Sequence, residues 1–273
     1  MDNHQIKKQT CSTVCSTSAP DSVLYLDTVN AMELAQRYKR ESIDMLAIKE
    51  GHCILDVGCR TGEDVQAIAQ LVGHNGKAIG IDKSEEMISQ ARQRASGLGL
   101  PIEFHLCDVH QLTFDDNFFD GCRAERVFQH LENPAKALSE IIRVSKSGAH
   151  ILVMEPDWET LLIDSADHAT TRSIVNFICD RMVRNGWIGR QLPRLFKDCG
   201  LIEIGVASSS IPLTDFDLAD IIWGLRRNAK RAENAGMVSP SAVDQWMRDL
   251  EHASTEHRFF GAVTGFAVCG RKP

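Results

Sequence analysis

The chain has 273 residues, of which 43% are hydrophobic and 25% are charged, an ordinary composition for a globular protein with one large core. Its net charge of −7 argues against a dedicated nucleic-acid binder, which would carry a basic surface. No apolar run reaches the roughly 18–20 residues of a membrane span, and the polar N-terminus has no signal-peptide core, so we expect a cytoplasmic protein. The nine cysteines show neither paired spacing nor a Cys-x-x-Cys motif, so we expect no disulfide framework and no bound metal.

The first predicted strand leads directly into a glycine-rich turn. After a polar tail and one or two helices, Ile54, Leu55 and Val57 form a short strand, and Gly58 and Gly62 follow at once. Apolar residues at helical spacing come next. Such a turn places unpaired backbone N–H groups and the positive end of a helix against a ligand.

The next two predicted strands each end at an acidic residue. Residues 78–82 end at Asp82, and residues 102–107 lead to Asp108. An acid at the end of the second strand, after a glycine-rich first turn, is placed to accept both hydroxyls of a ribose. The pattern therefore predicts a nucleoside-containing ligand along this edge of the sheet.

The rest of the chain first continues the alternation of strands and helices and then becomes irregular. Strand 118–123, helix 133–144 and strand 149–154 complete the repeated βα units, which require a parallel sheet with helices on both faces. Beyond them the sequence predicts helical stretches in 160–186, helices at 192–199, 216–235 and 240–252, and strands at 201–208 and 259–269.

Four motifs in this order carry a family resemblance. They are Asp56-Val57-Gly58-Cys59-x-Thr61-Gly62, Gly80-Ile81-Asp82-Lys83-Ser84-x-x-Met87, Cys107-Asp108-Val109 and Phe118-Phe119-Asp120. Together they resemble the successive motifs of class I S-adenosylmethionine (SAM)-dependent methyltransferases, and most closely the small-molecule group that includes the ubiquinone/menaquinone-biosynthesis C-methyltransferases. The resemblance is strong over residues 39–156 and looser to the C-terminus.

The resemblance implies a doubly wound, mostly parallel seven-stranded α/β sheet of Rossmann-like type, with the last strand antiparallel beside the fifth. An N-terminal helical lid and a helical insertion after strand 5 would complete the fold. The implied division is a mobile tail (1–21) and one methyltransferase domain (22–273), which contains the lid (22–50), the SAM-binding core (51–156), the cap insertion (157–191) and the C-terminal part (192–273).

The resemblance also implies cofactor contacts. Asp82 would bind the ribose, Asp108 and Val109 the adenine, and Met87 would pack on the adenine face. The remaining implied cofactor residues are Asp56, Gly58, Cys59, Gly62, Lys83 and Arg123. For Asp56 and Met87, a purely structural role is an equal alternative.

The methyl acceptor is expected to be a small organic molecule, methylated by in-line displacement, with S-adenosylhomocysteine (SAH) as the other product. Six residues with aromatic or polar side chains could line its pocket: Tyr25, Tyr38, Glu155, Trp158, Trp187 and Arg190. Each of them could equally have a structural role. His130 is a candidate proton acceptor because its ordinary pKa suits a base. Neither the acceptor, the methylated atom nor the oligomeric state follows from the sequence.

Arg60 departs from the family pattern because it occupies the usual middle glycine of the turn. A non-glycine residue does not freely adopt a positive φ, so we expect an ordinary backbone conformation with the side chain pointing outward. Two alternative functions remain: an NAD(P)-dependent oxidoreductase, which shares the turn and the ribose acid, and a non-catalytic SAM-binding relic that acts as a partner subunit.

Overall fold

The computed structural model of the protein describes residues 33–273, with side chains from Gln36 onward. A seven-stranded mixed sheet has the order β3-β2-β1-β4-β5-β7-β6, and its last strand is antiparallel, so the predicted fold class is confirmed. The strands are β1 (Cys53–Val57), β2 (Lys77–Asp82), β3 (Ile102–Leu106), β4 (Phe119–Glu125), β5 (Ser145–Ile163), β6 (Ile202–Leu213) and β7 (Gly261–Arg271).

Nine α-helices lie in the described residues: α1 (Glu33–Asp44), α2 (Glu63–Val72), α3 (Glu85–Ala95), α4 (Pro134–Val144), α5 (His168–Phe177), α6 (Ile188–Asp198), α7 (Phe216–Trp223), α8 (Leu225–Asn234) and α9 (Pro240–Thr255). A 3₁₀ turn (Phe128–His130) follows β4, and a π-helical turn (Ile178–Met182) follows α5. None of the helices between residues 33 and 273 combines the length and apolarity that crossing a bilayer requires.

The central strands are apolar because both of their faces are buried. Leu55 and Val57 of β1 pack in a cluster with side chains of α4 and α6, whereas Ile54 of the same strand packs in a second cluster with α2 and α3. β1 pairs in parallel with β2 on one side and β4 on the other, and β2 pairs in parallel with β3. The carboxyl ends of these strands therefore meet at one edge of the sheet.

The chain divides into two compact units. One contains Gln36–Glu155, Ile188–Ser208 and Phe266–Pro273, and it carries all of the predicted cofactor residues. Pro156–Trp187 and Ser209–Gly265 belong to the other unit, whose own apolar core includes Trp223 and Trp246. The predicted tail (1–21) and most of the predicted lid lie outside the described residues, and the proposed domain boundaries stay a prediction.

Several expected element boundaries are wrong: β6 runs to Leu213 rather than 208, α6 begins at Ile188 rather than 192, and two further elements differ more. β5 was expected to stop at residue 154, but it continues to Ile163, because later segments supply backbone partners: Trp158 N–H donates to the carbonyl of Gly186, and Asp164 N–H donates to that of Phe260. The helix expected over 216–235 is two helices, since Gly224 adopts a left-handed conformation (φ 63°) that ends α7 and begins α8.

Candidate cofactor site

The glycine-rich turn after β1 is fixed to the end of β2. The N–H groups of Gly58 and Cys59 both donate to the carbonyl of Ile81, at 2.7 and 2.9 Å. Gly62 N–H donates to the carbonyl of Cys59 at 2.9 Å, and α2 begins directly afterwards. The turn therefore presents its backbone and the N-terminus of α2 at the edge where Asp82 ends β2.

Glycine is required in this turn by the protein's own packing as well as by its backbone. Gly58 and Gly62 have φ of 70° and 86°. A Cβ on Gly58 would lie 2.4 Å from Val127 Cγ2, and one on Gly62 would lie 2.7 Å from the ring of Phe104. Neither contact is possible without movement. A bulky side chain at either position would therefore displace the turn even before a ligand binds.

Arg60 adopts a left-handed backbone conformation with φ 50°, so the expectation of an ordinary conformation is wrong. Its N–H donates to Asp82 Oδ2 at 3.1 Å, and its guanidinium donates to the carbonyl of Glu125 at 2.8 Å. These two bonds join the turn to the ends of β2 and β4. They offset the strain that a non-glycine residue carries at this φ.

We expect Arg60→Gly to leave SAH affinity within a fewfold of wild type. Glycine relieves the left-handed strain and keeps the N–H bond to Asp82, but it loses the guanidinium bond to Glu125, so the two effects oppose each other. Calorimetric titration of both proteins with SAH measures the result. A gain of tenfold or more would mean that the arginine side chain obstructs the cofactor.

Asp82 and Asp108 lie at neighbouring strand ends, as predicted. The N–H of Cys107 donates to the carbonyl of Asp82 at 3.0 Å, which draws the end of β3 against the end of β2. Asp82 accepts the N–H groups of Arg60 and Ser84 on separate oxygens. Both carboxylates are accessible, and the Asp108 side chain is 65% exposed. Their arrangement suits the two hydroxyls and the base of a nucleoside.

His110 orients Asp108. Its backbone N–H and ring Nδ1 lie 2.8 and 2.7 Å from Asp108 Oδ1, and these bonds keep the pKa of Asp108 low. Within residues 33–273, Oδ2 of the same carboxylate accepts no hydrogen bond, so it is available to a ligand. Sequence reasoning missed His110, although an Asp-x-His pair after a strand could have indicated it.

Three more predicted cofactor residues surround this acidic pair. Met87 is half-buried in the first turn of α3, where its N–H donates to Ser84 Oγ. Lys83 is exposed beside it, and Val109 is buried next to Asp108. Cys59, in the turn, is also buried, and that burial raises the pKa of its thiol, so the side chain is an inert apolar group. Their cofactor contacts stay a prediction.

Arg123 does not face the turn's surface but lies fully buried beneath it. Its guanidinium contacts Asp56 Oδ1 at 3.1 Å, Asp64 Oδ2 at 2.9 Å and Glu125 Oε2 at 2.7 Å. Lys39 of α1 also contacts Asp64, at 3.0 Å. These five residues form an ion cluster. The sequence analysis named Asp56 and Arg123 but missed Asp64, Glu125 and Lys39.

Arg126 also contacts the ion cluster, since its Nε lies 3.4 Å from Glu125 Oε1. Burial raises the pKa of Asp56 to about 7, against the pull of Arg123. Burial acts on Asp64 in the same direction, but Arg123 and Lys39 outweigh it and hold the pKa of Asp64 far below its usual range. Asp56 therefore takes up a proton near neutral pH, whereas Asp64 stays ionised. The cluster ties the ends of β1, β4, α1 and α2 together below the turn.

Glu155, inside β5 and level with the carboxyl end of β4, fixes the turn that follows β4. It is 1% exposed, and its Oε1 accepts the N–H groups of Val127 and Phe128 at 2.7 and 2.5 Å. Burial raises the pKa of Glu155 to about 8, although these N–H bonds lower it. The side chain therefore stays a neutral carboxylic acid at pH 7.

We expect Glu155→Gln to flatten the pH dependence of stability. The folded protein keeps the Glu155 proton up to pH 8, whereas the unfolded chain releases it near 4.5, so the free energy of unfolding falls as pH rises between these values. The slope is at most about 1.4 kcal/mol per pH unit. Urea denaturation from pH 5 to 8 tests it. Asp56 titrates in both proteins, so parallel curves would show that Glu155 does not hold this proton.

His130 lies in the 3₁₀ turn, with part of its ring exposed. Loss of hydration, together with the nearby positive charges of Lys83, Arg60 and Arg126, lowers the pKa of His130 to about 4. The imidazole is therefore neutral at pH 7 but only weakly basic. Its role as a proton acceptor stays a prediction that this environment does not favour.

The predicted acceptor-pocket residues are spread over both units. Tyr38 and Glu155 lie in the unit with the cofactor residues, as does Arg190, which is exposed on α6. Trp158 and Trp187 belong to the other unit, where Trp158 packs against the apolar core. Trp187 is 44% exposed. Tyr25 lies outside the described residues.

This sheet, with a glycine turn and two strand-end acids at one edge, defines the class I SAM-dependent methyltransferases. The chain belongs to the methyltransferase-domain family, which matches residues 48–197. It is 39% identical to an uncharacterised 37.1 kDa protein in a transposon of Streptomyces fradiae, over 93% of this chain and 72% of the relative. It is also 30% identical to the ubiquinone/menaquinone biosynthesis C-methyltransferase of Hydrogenovibrio crunogenus, over 48% of this chain and only 52% of that enzyme.

Solved structures share the fold. A candidate methyltransferase from Bacillus halodurans superposes with a TM-score of 0.63, at 18% identity over 86% of this chain and 98% of its own. A phosphoethanolamine N-methyltransferase from Haemonchus contortus, in complex with SAH, gives 0.60 at 18% identity over 93% of this chain and 57% of its own. The family assignment confirms SAM as the cofactor and decides against an oxidoreductase.

Proposed function

We propose that the protein transfers the methyl group of SAM to a small organic acceptor. The observation that carries the proposal is the order of groups along one sheet edge: the acids Asp108 and Asp82 follow β3 and end β2, the glycine turn follows β1, and the polar residues at the end of β4 and at Glu155 of β5 lie beyond. A cofactor laid from β3 toward β1 would present its reactive end to β4 and β5.

Three features of the chain fit this cofactor. The turn exposes backbone without side chains at Gly58 and Gly62. Asp82, the proposed ribose acid, is held in place by the N–H of Arg60. Asp108 keeps one carboxylate oxygen available for the adenine base. SAM would supply an electrophilic methyl carbon. The protein's part is to hold that carbon and the acceptor in line and to exclude water, which gives most of the rate enhancement such reactions need.

A direct test measures SAH formation. Purified protein would be incubated with SAM labelled in its methyl group and a fractionated extract of small molecules, and labelled products would be identified by mass spectrometry. We expect acceptor-dependent SAH release that Asp82→Ala reduces at least tenfold. SAH binding without any labelled product across the extract would favour the non-catalytic relic instead.

The prediction for acceptor specificity concerns Trp158 and Arg190. We expect Trp158→Ala or Arg190→Ala to lower acceptor turnover while SAH affinity stays near wild type, because large aromatic and charged side chains orient polar organic molecules. Arg194→Ala, at another exposed arginine of α6, is the control for Arg190. Because Trp158 packs in a core, melting curves accompany each assay.

Full turnover in both variants, or a loss of SAH affinity as large as that of Asp82→Ala, would contradict this assignment. The first result would mean that neither side chain contacts the acceptor. The second would place them at the cofactor.

A further inference from the structure

Three buried polar atoms at the ends of β4 and β5 have no hydrogen-bond partner within the described part of the chain. They are Tyr38 Oη on α1, Arg123 Nε on β4 and Glu155 Oε2 on β5. They lie in one region, since the charges of Glu125, Glu155 and Arg123 all act on the Tyr38 hydroxyl. Buried polar groups are almost always hydrogen-bonded, so three orphans together indicate a missing ligand group or ordered water.

Their place in the sheet separates them from the cofactor's nucleoside. Asp82 and Asp108 follow β2 and β3 on one side of β1, whereas β4 and β5 lie on the other side. Neighbouring strands are about 4.8 Å apart, so the backbone of β5 is roughly 10 Å from that of β1. A group bound beside β5 would lie beyond the reactive end of a cofactor placed along β3, β2 and β1.

The chemistry of the orphan atoms favours a neutral oxygen. Burial raises the pKa of both the Tyr38 hydroxyl and the Glu155 carboxyl, so both are protonated at pH 7 and can donate. Arg123 Nε–H is a third donor. An ammonium group, by contrast, would face three donors, and the nearest carboxylate, Glu125, is already engaged by Arg123 and Lys39.

We propose that Tyr38 Oη and Glu155 Oε2 bind an uncharged hydroxyl or carbonyl oxygen of the methyl acceptor. The inference rests on the proposed function and narrows its acceptor to an oxygen-bearing class. Glu155 is well suited to this role because the N–H groups of Val127 and Phe128 hold Oε1 and so aim Oε2. The side chain is oriented before a ligand arrives, which limits the entropy lost on binding.

The test uses SAH-saturated protein and two probes of similar size, 1-naphthol and 1-naphthylmethylamine, titrated by calorimetry at pH 7. We expect the hydroxyl probe to bind at least tenfold more tightly than the amine. Tyr38→Phe should weaken 1-naphthol about fivefold, as loss of one hydrogen bond would, whereas Glu155→Gln should bind it like wild type, because its amide N–H donates in place of the neutral acid. Arg37→Ala, an exposed change on the same helix, should have no effect.

SAH is titrated separately into each variant and should bind within twofold of wild type. The inference is overturned if the amine binds as well as the alcohol, if 1-naphthol does not bind, or if Tyr38→Phe binds it like wild type, since ordered water would then satisfy the orphan atoms. A tenfold loss of SAH affinity in either variant would assign them to the cofactor and also overturn it. Failure of the wild-type protein to bind SAH would refute the proposed function itself.

Discussion

Asp82→Ala is expected to lower SAH affinity by about ten- to a hundredfold. The substitution removes the proposed charged acceptor of two ribose hydroxyls, and hydrogen bonds to charged groups contribute about 1.5–3 kcal/mol. It also removes the acceptor of the Arg60 and Ser84 N–H groups, so the glycine turn loses one of its ties to β2. Both effects act in the same direction. Calorimetric titration with SAH measures the loss.

Two further variants separate charge from structure. Asp82→Asn keeps one acceptor oxygen but no charge, so its affinity should lie between those of wild type and Asp82→Ala. Glu103→Ala removes an acid of β3 that pairs with Lys77, and it should bind SAH normally. Wild-type affinity in Asp82→Ala would remove Asp82 from the cofactor site.

Arg123→Met is expected to destabilise the protein by about 3–5 kcal/mol, because it leaves Asp56, Asp64 and Glu125 buried without their principal cation. Lys39 and Arg126 would then face three carboxylates with two positive charges. Urea denaturation at pH 7 measures the difference. A loss of this size approaches the whole stability of many domains, so low temperature is needed for purification.

The pH dependence of this loss identifies its cause. Carboxylates without a cation bind protons more tightly when folded, so acidification to pH 5 should narrow the gap between Arg123→Met and wild type. Arg123→Lys keeps the charge but not the forked geometry, and an intermediate loss is expected. A gap below 1 kcal/mol, or one that is independent of pH, would mean that packing rather than charge dominates at this site.

The sequence predicted the repeated βα core because its signals are local. Ser84 before Glu85 and Glu86 begins α3, and Asn133 before Pro134 begins α4, each with the cap bond its residue type favours. The extension of β5 to Ile163 was missed because its backbone partners, near Gly186 and Phe260, lie far away along the chain. No local pattern shows such a pairing.

The same limit applies to the candidate site: its local features could be predicted from the sequence, but its distant contacts could not. Asp82 and Asp108 follow strands, so strand order alone brings them together. The left-handed conformation of Arg60 was not predicted, because non-glycine residues disfavour a positive φ. Contacts with Asp82 and Glu125 stabilise it. The ion cluster around Arg123 depends on side chains from four elements, and which charges meet in a core is set by packing rather than by sequence spacing.

The bonds that Asp82 already makes in the described structure bear on the speed of cofactor capture. Its two oxygens accept the N–H groups of Arg60 and Ser84, so the turn is ordered in the geometry in which the ribose acid is displayed. A nucleoside bound by this acid as proposed would meet a carboxylate that is already positioned, so Asp82 itself need not rearrange during association. Differences in affinity among variants that keep these two bonds would then arise mainly from the rate of dissociation.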